Sequence, residues 1–383
     1  MSDSEPETHD ALDVTVSGGS MAGLFAGVGL DRAGHDPTVY ERSTGDLESR
    51  GAGIVAQSAV RRFLDRHGIV DPERIVTIVD RREYLARDGS VDASRPESMA
   101  FTAWDAVYRN LRSAFPDDRY REGREVTGVR PDPEAPAVEF ADGSTVRPDL
   151  AAVAEGGRSA TREQLLPDVA PEFADYVAWR GVVREREVPG AIRDQFEAAF
   201  TFYQGPDLLI LGYLIPGPDG GTDPGDRRLN WVWYDAVGDD PSRSALLTDA
   251  DGVERTVTVP PGAVREPIER RQRTRADDAL PDVFSRVVAA TDRPFVQAIY
   301  DLSVPQMAFD RTALLGDAAF AARPHTAAGT AKAAADAAAL ADSLRANDGV
   351  QTALREWEAT RLDAGRRLVE RGREMGERRL GLG

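Results

Sequence analysis

The chain has 383 residues, 41% of them hydrophobic and 29% charged, which is a globular composition long enough for two or three domains. It contains no cysteine, and this excludes disulfides, iron–sulfur clusters, thiolate metal sites and cysteine nucleophiles. The net charge of −18 disfavours nucleic acids and anionic membranes as partners, because both attract basic surfaces.

The first predicted elements are a strand, a helix and a second strand. Residues 1–11 are acidic, and we expect a disordered tail there. A β-branched run predicts a strand at 14–17, followed by a helix at 24–33 and a strand at 37–41. Together they form a βαβ unit, which is typical of nucleotide-binding domains.

A glycine-rich turn, GGSMAGL, joins the first strand to the helix. Gly18 and Gly23 occupy the outer positions of a dinucleotide-binding motif, where glycine permits a tight turn and close approach of the backbone to pyrophosphate. Ser20 replaces the middle glycine with a small side chain whose hydroxyl can face phosphate. Glu41 ends the next strand, where a carboxylate accepts hydrogen bonds from an adenosine ribose. We therefore predict dinucleotide binding; a tight turn beside a surface glutamate is the alternative.

The middle of the chain is predicted to be rich in strands. Helical periodicity at 59–68 and 103–115 precedes a hairpin within 126–146 and a strand at 149–154. The block 176–264 then consists of apolar runs separated by Gly, Pro and Asp clusters. Its predicted strands are 179–183, 200–203, 208–215, 229–234 and 256–259. Such a block predicts a domain inserted into a discontinuous nucleotide-binding domain.

The C-terminal part of the chain is predicted to be mainly helical. Helical periodicity returns after residue 267, interrupted by short strands at 296–301 and 313–315. An alanine-rich helix is predicted at 330–346, and a longer, charged helix at 350–379. For the longer helix we favour a solvated helix packed against the nucleotide-binding domain; a contact with a second copy of the chain in a homodimer is the alternative.

A second candidate site is the segment LLGDAAFAARPHTAAGTAKA, at 314–333. Asp317 ends a predicted strand, where its carboxylate can accept hydrogen bonds from sugar-like hydroxyls. The small residues at 327–329 allow a flat ring to lie against the backbone, and the following helix directs its N-terminus toward that ring. A plain strand–loop–helix connection with a structural aspartate is the alternative.

These two segments, in this order and at this separation, resemble the single-component FAD-dependent aromatic hydroxylases of the p-hydroxybenzoate hydroxylase fold. The segment DLAAVAEGGRSATR, at 149–162, is similar to a third motif of that family, which lies over the pyrophosphate. Glu155 stands there in place of the family's aspartate, and Trp104 replaces an arginine that begins a helix. The segments most similar to the 2,6-dihydroxypyridine hydroxylase branch are RGAGIVAQ, YVAWRG and RRLNWVWY.

The resemblance covers residues 12–370 and implies an α/β fold. Its parts are a discontinuous, Rossmann-like FAD-binding domain, an inserted β-sheet substrate domain and C-terminal helices. The ranges are 12–75, 100–172 and 268–346 for the FAD-binding domain, 76–99 and 173–267 for the substrate domain, and 347–383 for the helical segment. The resemblance further implies that an electron-rich, hydroxylated aromatic or N-heteroaromatic ring, similar to a dihydroxypyridine, is hydroxylated with NADH or NADPH and O2.

The motifs and the resemblance together predict the residues that contact FAD. By likeness to the family, Arg50 is expected near the adenosine-side phosphates, Gln57 near the isoalloxazine and Asp317 at the ribityl chain or the pyrophosphate. The full predicted set is Gly18, Ser20, Met21, Ala22, Gly23, Glu41, Arg42, Arg50, Gln57, Glu155, Gly156, Asp317, Pro324, Ala327, Ala328 and Gly329.

The substrate pocket is expected in the strand-rich block. Its candidate aromatic side chains are Tyr176, Trp179, Tyr203, Tyr213, Trp231, Trp233 and Tyr234. Of these, we predict that Tyr176, Tyr203, Tyr213, Trp231 and Trp233 bind the substrate. Because side chains alternate along a strand, one face of 229–234 lines the pocket and the other packs on a helix. For Arg180 we favour a structural ion pair over contact with an anionic substrate.

His325 is the candidate catalytic residue. Its motif places it beside the expected flavin ring, where an imidazole can accept the proton of a ring hydroxyl. A hydrogen bond to the backbone alone is the other interpretation of this residue. The four histidines of the chain are scattered without metal-ligand spacing, so we predict no metal site.

Other functions remain open. Flavin-dependent halogenases of this fold carry Trp-x-Trp-x-Ile-Pro and an essential lysine, whereas here only 231–233 matches and Lys332 lies in the helix after the second motif. Geranylgeranyl reductases need a long apolar tunnel, for which the sequence offers no obvious candidate. A non-catalytic or redox-sensing dinucleotide-binding protein is a further alternative, because Ser20, Glu155 and Trp104 depart from the family pattern.

The charge pattern also bears on the environment of the protein. Lys332 is the only lysine among 47 basic residues, and scarce lysine with an acidic excess predicts a halophilic protein, because salt screens charge repulsion. An acidic protein from an arginine-rich genome is the alternative. The N-terminus lacks the apolar region of a signal peptide, and the most apolar run, 208–215, is far shorter than the ~20 residues of a membrane span. We therefore expect a soluble, cytoplasmic protein.

Overall fold

The computed structural model describes residues 10–45, 47, 52–237 and 242–380, so that most of the predicted acidic tail and the predicted FAD contact Arg50 lie outside the described residues. The strands are β1 (Asp13–Ser17), β2 (Asp36–Glu41), β3 (Gly53–Val55), β4 (Thr77–Leu85), β5 (Val91–Ala103), β6 (Tyr120–Glu122), β7 (Val126–Arg130), β8 (Ala137–Phe140), β9 (Thr145–Val146), β10 (Leu150–Val153), β11 (Glu172–Arg184), β12 (Ala199–Gly205), β13 (Leu208–Ile215), β14 (Arg228–Ala236), β15 (Thr258–Val259), β16 (Phe295–Ser303), β17 (Ala308–Phe309), β18 (Thr312–Leu314) and β19 (Phe320–Ala321). The helices are α1 (Met21–Arg32), α2 (Ser58–Arg66), α3 (Trp104–Ala114), α4 (Ala160–Leu165), α5 (Gly190–Phe196), α6 (Ser242–Leu247), α7 (Glu266–Ala279), α8 (Asp282–Ala289), α9 (Gly329–Ala346) and α10 (Val350–Leu380).

Six strands form a mainly parallel sheet in the order β17-β18-β10-β1-β2-β6. β1 lies near its centre, where Val16 pairs with Val39 of β2 and with Ala152 of β10. These strands are apolar because the sheet is covered by helices, including α1 and α9, which share one hydrophobic core with it. The predicted βαβ unit is confirmed, although α1 begins at Met21 rather than at residue 24.

A second, mainly antiparallel sheet has the order β15-β16-β11-β14-β13-β12-β4-β5-β3, and β19 pairs with β16. One of its faces packs on α7 and α8, and the opposite face borders a cavity. The predicted strands of the central block are present, with the last one limited to β15. The long hairpin of β4 and β5 was not predicted as strands, because β5 is polar, largely exposed and contains Pro96. The predicted α/β fold class is confirmed, while the domain boundaries remain a prediction.

A small third sheet contains β7, β8 and β9 and confirms the predicted hairpin. Val138 pairs with Val146, and Gly143 in the intervening turn has a φ of +82°. This left-handed conformation favours glycine, so the Asp-Gly signal in the sequence reports the turn correctly.

The helices α9 and α10 pack against each other beside the six-stranded sheet. The buried ammonium of Lys332 donates to the carbonyl of Gly316 at 2.7 Å and to Oδ2 of Asp336 at 3.0 Å. Arg361 of α10 donates to Oδ1 of the same aspartate at 2.7 Å. One carboxylate therefore ties both helices to the turn after β18. In the part of the chain that the structure describes, no helix has the length and apolarity needed to cross a membrane.

Candidate functional site

A cavity of about 940 Å³ lies between the two large sheets and the N-terminus of α9. Its walls bring together the three sequence motifs, the end of β2, the start of α2 and one face of the ten-stranded sheet. One end is therefore lined by glycine-rich loops and the other by aromatic and apolar side chains. Residues far apart in the chain meet here because parallel strands place their carboxyl ends at one edge of a sheet.

The first motif forms a close backbone turn at this edge. Gly18 has a φ of +99°, and a Cβ atom there would lie 2.5 Å from the carbonyl oxygen of Ala154. A Cβ atom on Gly23 would lie 1.7 Å from the carbonyl oxygen of Gly18, so both positions require glycine. Ser20 is the N-cap of α1 and makes no side-chain capping bond, which leaves the N–H groups of the first turn directed at the cavity. This arrangement is suited to a pyrophosphate.

Glu41 is buried at the end of β2 and borders the same cavity. Its Oε2 accepts a hydrogen bond from the backbone N–H of Gly19, and its Oε1 accepts one from Ser43, both at 2.9 Å. Each carboxylate oxygen has a second lone pair, so Glu41 can still accept hydrogen bonds from two ribose hydroxyls. Arg42, the next residue, is exposed and also lines the cavity.

Glu155 in the third motif is engaged by its own loop. Its Oε1 accepts hydrogen bonds from the hydroxyls of Ser17 and Thr161 at 2.7 and 2.8 Å. Its Oε2 accepts from the hydroxyl of Ser159 at 2.6 Å and from the backbone N–H of Thr161 at 3.1 Å. These four bonds use the acceptor capacity of the carboxylate, so Glu155 shapes the loop beside Gly156 rather than offering its oxygens to a ligand. Both residues line the cavity.

The second motif supplies a flat, small-residue wall. A 3-10 turn at Pro324–Thr326 ends in Ala327, whose φ of +52° is left-handed, and α9 begins at Gly329. A Cβ atom on Gly329 would meet nothing within 4 Å. The amide of Gln57 donates to the carbonyl of Ala327 at 2.9 Å and so fixes this turn against the start of α2. Space and exposed backbone at this wall suit a planar ring.

Asp317 lies directly after β18 and projects into the cavity. The surrounding protein raises the pKa of its carboxyl by desolvation, and the charge of Lys332 acts in the opposite direction. A carboxyl group in this position can bind sugar-like hydroxyls as the second motif predicts. Of the other predicted cofactor residues, Met21, Ala22, Pro324 and Ala328 also line the cavity, whereas Gly23 supports the turn from behind.

The aromatic end of the cavity differs from its prediction. Tyr213 lines it, with its ring stacked on Phe101 at a centroid distance of 4.0 Å. Trp231 and Trp233 do not line the cavity, because the alternation of side chains along β14 directs them toward α7 and α8. There the indole N–H of Trp231 donates to the hydroxyl of Thr291 at 2.8 Å. The opposite face of β14 supplies Val232 and Tyr234 to the cavity.

Two further residues predicted to bind the substrate, Tyr203 and Tyr176, do not line the cavity. Tyr203 belongs to the hydrophobic cluster on the α7 and α8 side of the sheet, so the prediction for it is wrong for the same reason of strand alternation. Tyr176 is fully buried behind His325, at a ring-centroid distance of 5.5 Å, and does not reach the cavity wall.

His325 borders the cavity between its two ends. It is 8% exposed, and its ring lies 4.2 Å from that of Tyr234 between centroids. The 3-10 turn of the second motif fixes its backbone. An imidazole held there faces both the small-residue wall and the aromatic end, which is the placement that the sequence predicts for a base.

Two arginines at the aromatic end were not predicted as site residues. Arg82 is stacked near Phe200 and Phe202 and donates to Glu97 at 2.8 Å. Arg180 borders the same space from β11. The favoured expectation of a structural ion pair for Arg180 is wrong, because no carboxylate among the described residues lies within ion-pairing distance of it. For Arg180, a charged residue inside the apolar run of β11 is the sequence signal. Arg82 lies in a charged run of β4, which gives no such signal.

Comparison with known proteins gives a consistent result. A family model described as "FAD binding domain-like" matches residues 173–301. The chain is 34% identical to 2,6-dihydroxypyridine 3-monooxygenase of Paenarthrobacter nicotinovorans, over 95% of this chain and 91% of that protein.

Solved structures agree over almost the whole chain. The structure of 2,6-dihydroxypyridine-3-hydroxylase from Arthrobacter nicotinovorans has a TM-score of 0.92 and 32% identity, covering 98% of this chain and 95% of that one. HpxO of Klebsiella pneumoniae, in complex with FAD and uric acid, has a TM-score of 0.78 at 22% identity, covering 97% and 89%, and supports the fold alone.

Proposed function

Because the chain belongs to the single-component FAD-dependent aromatic hydroxylases, we propose that its substrate is a small hydroxylated N-heteroaromatic ring of the dihydroxypyridine type. The protein is an FAD-dependent monooxygenase that uses NAD(P)H and O2 to hydroxylate an electron-rich ring. The observation that carries the substrate proposal is the continuity of the cavity, which joins the dinucleotide-binding loops to an end lined by aromatic side chains.

The residues of the cavity fit FAD in a consistent order. The Gly18 turn and the N-terminus of α1 would hold the pyrophosphate, Glu41 would hold the adenosine ribose, and Asp317 would hold the ribityl chain or the pyrophosphate. Gln57 and the wall at 327–329 enclose the isoalloxazine. Bound FAD supplies the redox chemistry, which is the transfer of electrons from NAD(P)H and the activation of O2.

The protein's own contribution is to bind the ring, to exclude water and to remove a proton. The buried sheet face around Tyr213 and Val232 excludes water from the ring. His325 accepts the proton of a ring hydroxyl through an imidazole nitrogen. Loss of this proton increases the electron density of the substrate ring and so favours its hydroxylation. The ring of Tyr234 packs against this imidazole at a centroid distance of 4.2 Å and restricts its orientation.

An absorption spectrum of the purified protein, followed by anaerobic addition of NADH, tests the function. We expect two flavin bands that bleach with NADH, and faster bleaching when 2,6-dihydroxypyridine is present. Asp317→Ala is the matched variant, because it removes a cofactor contact without touching the aromatic end, and we expect it to be purified with little FAD. A colourless protein that cannot be reconstituted with FAD would contradict the cofactor assignment and favour a non-catalytic protein.

The acidic composition leads to a separate proposal about the environment. We propose that the protein works in a salt-rich cytoplasm, where NAD(P)H is available.

We also propose that the exposed, charged face of α10 joins two copies of the chain into a homodimer. Analytical ultracentrifugation at low and high salt measures the oligomeric state, and a single monomeric species at both salt concentrations would contradict the homodimer.

A further inference from the structure

The aromatic end of the cavity contains a half-buried cation, Arg180, that forms no ion pair with any residue the structure describes. Arg180 lies in the middle of β11, with Val232 of β14 opposite it on one side and Phe295 of β16 on the other. Both neighbours are apolar, and its buried Nε makes no hydrogen bond. A guanidinium in such a position loses hydration without receiving an ion pair in return, so its charge is left available to a ligand.

The other cations around the cavity are arranged differently. The charge of Arg82 is neutralised by Glu97, and its guanidinium lies 5.2 and 5.1 Å from the centres of two phenylalanine rings. Arg371 of α10 lines the opening but is exposed to water. Arg42 lies with the dinucleotide loops at the far end. Within the described residues, Arg180 is therefore the half-buried, unneutralised cation that the ring end presents.

A hydrogen-bonding group near this cation is the phenol of Tyr213. The phenol of Tyr213 is close enough for the charge of Arg180 to act on it, but burial dominates and raises the pKa of the phenol. Tyr213 thus stays protonated and can donate a hydrogen bond. His325 and Tyr234 complete the titratable groups that face the ring end. Five acidic side chains line the cavity among the described residues, namely Glu41, Glu97, Glu125, Glu155 and Asp317. None of them forms an ion pair with Arg180, and Glu97 is paired with Arg82.

We propose that Arg180 binds a negatively charged oxygen on the substrate ring, and that the enzyme therefore selects rings that enter the cavity as anions. The proposal rests on the proposed function, since the ring end is a substrate site only under that function. The anionic oxygen is either an ionised ring hydroxyl or a ring carboxylate. A planar guanidinium serves both, because its forked donors match two lone pairs of oxygen. An ionised hydroxyl additionally donates electrons into the ring, which favours its hydroxylation.

Calorimetric titration of the FAD-loaded protein with matched ligand pairs tests this proposal. One pair is 4-hydroxybenzoate and 4-hydroxybenzamide, which differ in a carboxylate charge. The other is 4-nitrophenol above its ionisation and 4-nitroaniline, which differ in a phenolate charge. We expect the wild type to bind the anion of at least one pair at least 10-fold more tightly than its neutral analogue. The pair that shows the preference identifies the oxygen that Arg180 binds.

Variants assign the preference to the guanidinium. We expect Arg180→Gln to raise the Kd of the anion about 10- to 100-fold and that of the neutral analogue less than about 3-fold, as for a hydrogen bond to a charged group. Arg180→Lys keeps the charge and should retain most of the preference. Tyr213→Phe is the neutral control, which should change the Kd of both ligands by a similar factor. FAD content and melting temperature verify that each variant is folded.

The outcomes separate the two proposals. Equal binding of anion and neutral analogue by the wild type in both pairs, or a preference that survives in Arg180→Gln, overturns the role of Arg180 even if rings are hydroxylated. An Arg180-dependent preference in a protein that hydroxylates no ring keeps the anion site and overturns the proposed function. If Arg180→Gln does not fold, Arg180→Lys becomes the deciding variant. Equal Kd values for the anion and its neutral analogue in Arg180→Lys would count against a site that recognises charge.

Discussion

At the scale of single residues, the cavity shows how the same residue type takes different roles according to its neighbours. Arg82 and Arg180 both line the cavity from one sheet, on strands separated by three others, yet only the first has a carboxylate partner among the described residues. Glu41 and Glu155 both border the dinucleotide end, but four hydrogen bonds engage Glu155 and two engage Glu41. Which polar group is left to bind a ligand is therefore decided by the hydrogen bonds and ion pairs that each group makes in the folded chain.

The first prediction concerns the effect of replacing His325 on the two half-reactions. Replacing it by alanine removes the base, so we expect ring hydroxylation to slow by about 100-fold, within the range for general base catalysis. Reduction of the bound FAD by NADH should change far less, because it needs no proton from the substrate ring. Stopped-flow absorbance measures the two half-reactions separately.

The control for His325→Ala is His67→Ala. His67 follows α2, contacts Phe63 at a ring-centroid distance of 4.4 Å and does not line the cavity. Its removal should leave both half-reactions unchanged. An equal slowing of both half-reactions by His325→Ala would remove the imidazole from the proton-transfer step and leave it a packing role.

At the scale of elements, strand alternation and helix packing decide what the cavity contains. β14 is buried on both faces, so each of its side chains packs against either α7 and α8 or the cavity.

α1 carries several glycines, and their roles differ although they lie on one helix. Gly23 faces the turn of the first motif, whereas Gly29 faces the ring of Phe63 at 3.5 Å from a hypothetical Cβ atom, an ordinary van der Waals distance.

This contrast predicts opposite effects of one methyl group. Gly23→Ala forces its Cβ atom into the carbonyl of Gly18, and we expect it to lower the free energy of unfolding by about 1–3 kcal/mol or more and to reduce FAD content. Gly29→Ala meets no clash and should raise the free energy of unfolding by up to about 1 kcal/mol, because alanine is the better helix former. Urea unfolding and the flavin-to-protein absorbance ratio measure both. Similar effects of the two substitutions would contradict the tight turn at residue 18.

At the scale of the whole molecule, charge is the dominant feature. A net charge of −18 places repulsion across the surface, and many of its arginines form exposed ion pairs that contribute little individually. Salt shortens the screening distance from about 10 Å at 0.1 M to about 3 Å at 1 M. The repulsion should therefore weaken more than the close ion pairs do.

We expect the melting temperature to rise by several degrees between 0.1 and 2 M KCl, since about 1 kcal/mol of stabilisation shifts the melting temperature of a large domain by about 2–4 °C. Differential scanning calorimetry of the FAD-loaded protein measures the shift. Sucrose at equal osmolality is the control, because it is excluded from the surface without screening charge. A melting temperature that falls with KCl would contradict the proposed salt adaptation.

Much of the fold follows from local sequence. The strand, glycine turn and helix at 14–33 and the hairpin turn at Gly143 rest on interactions between residues close in the chain, and their positions are correct to within a few residues. β4 and β5 were missed because a polar, exposed hairpin lacks the apolar alternation that identifies strands. The cofactor end of the cavity was predictable for the same local reason, since turns that approach a phosphate require glycine.

The sequence by itself determined the fold class, the family and the dinucleotide end of the site, because these depend on motifs with local geometry. Only the tertiary structure decided which face of β14 borders the cavity, so that Tyr234 replaces Trp231 and Trp233 there. It also decided that Arg180 has no carboxylate partner among the described residues. Periodicity shows that a strand has two faces, but the helices packed on the sheet determine which face becomes the core.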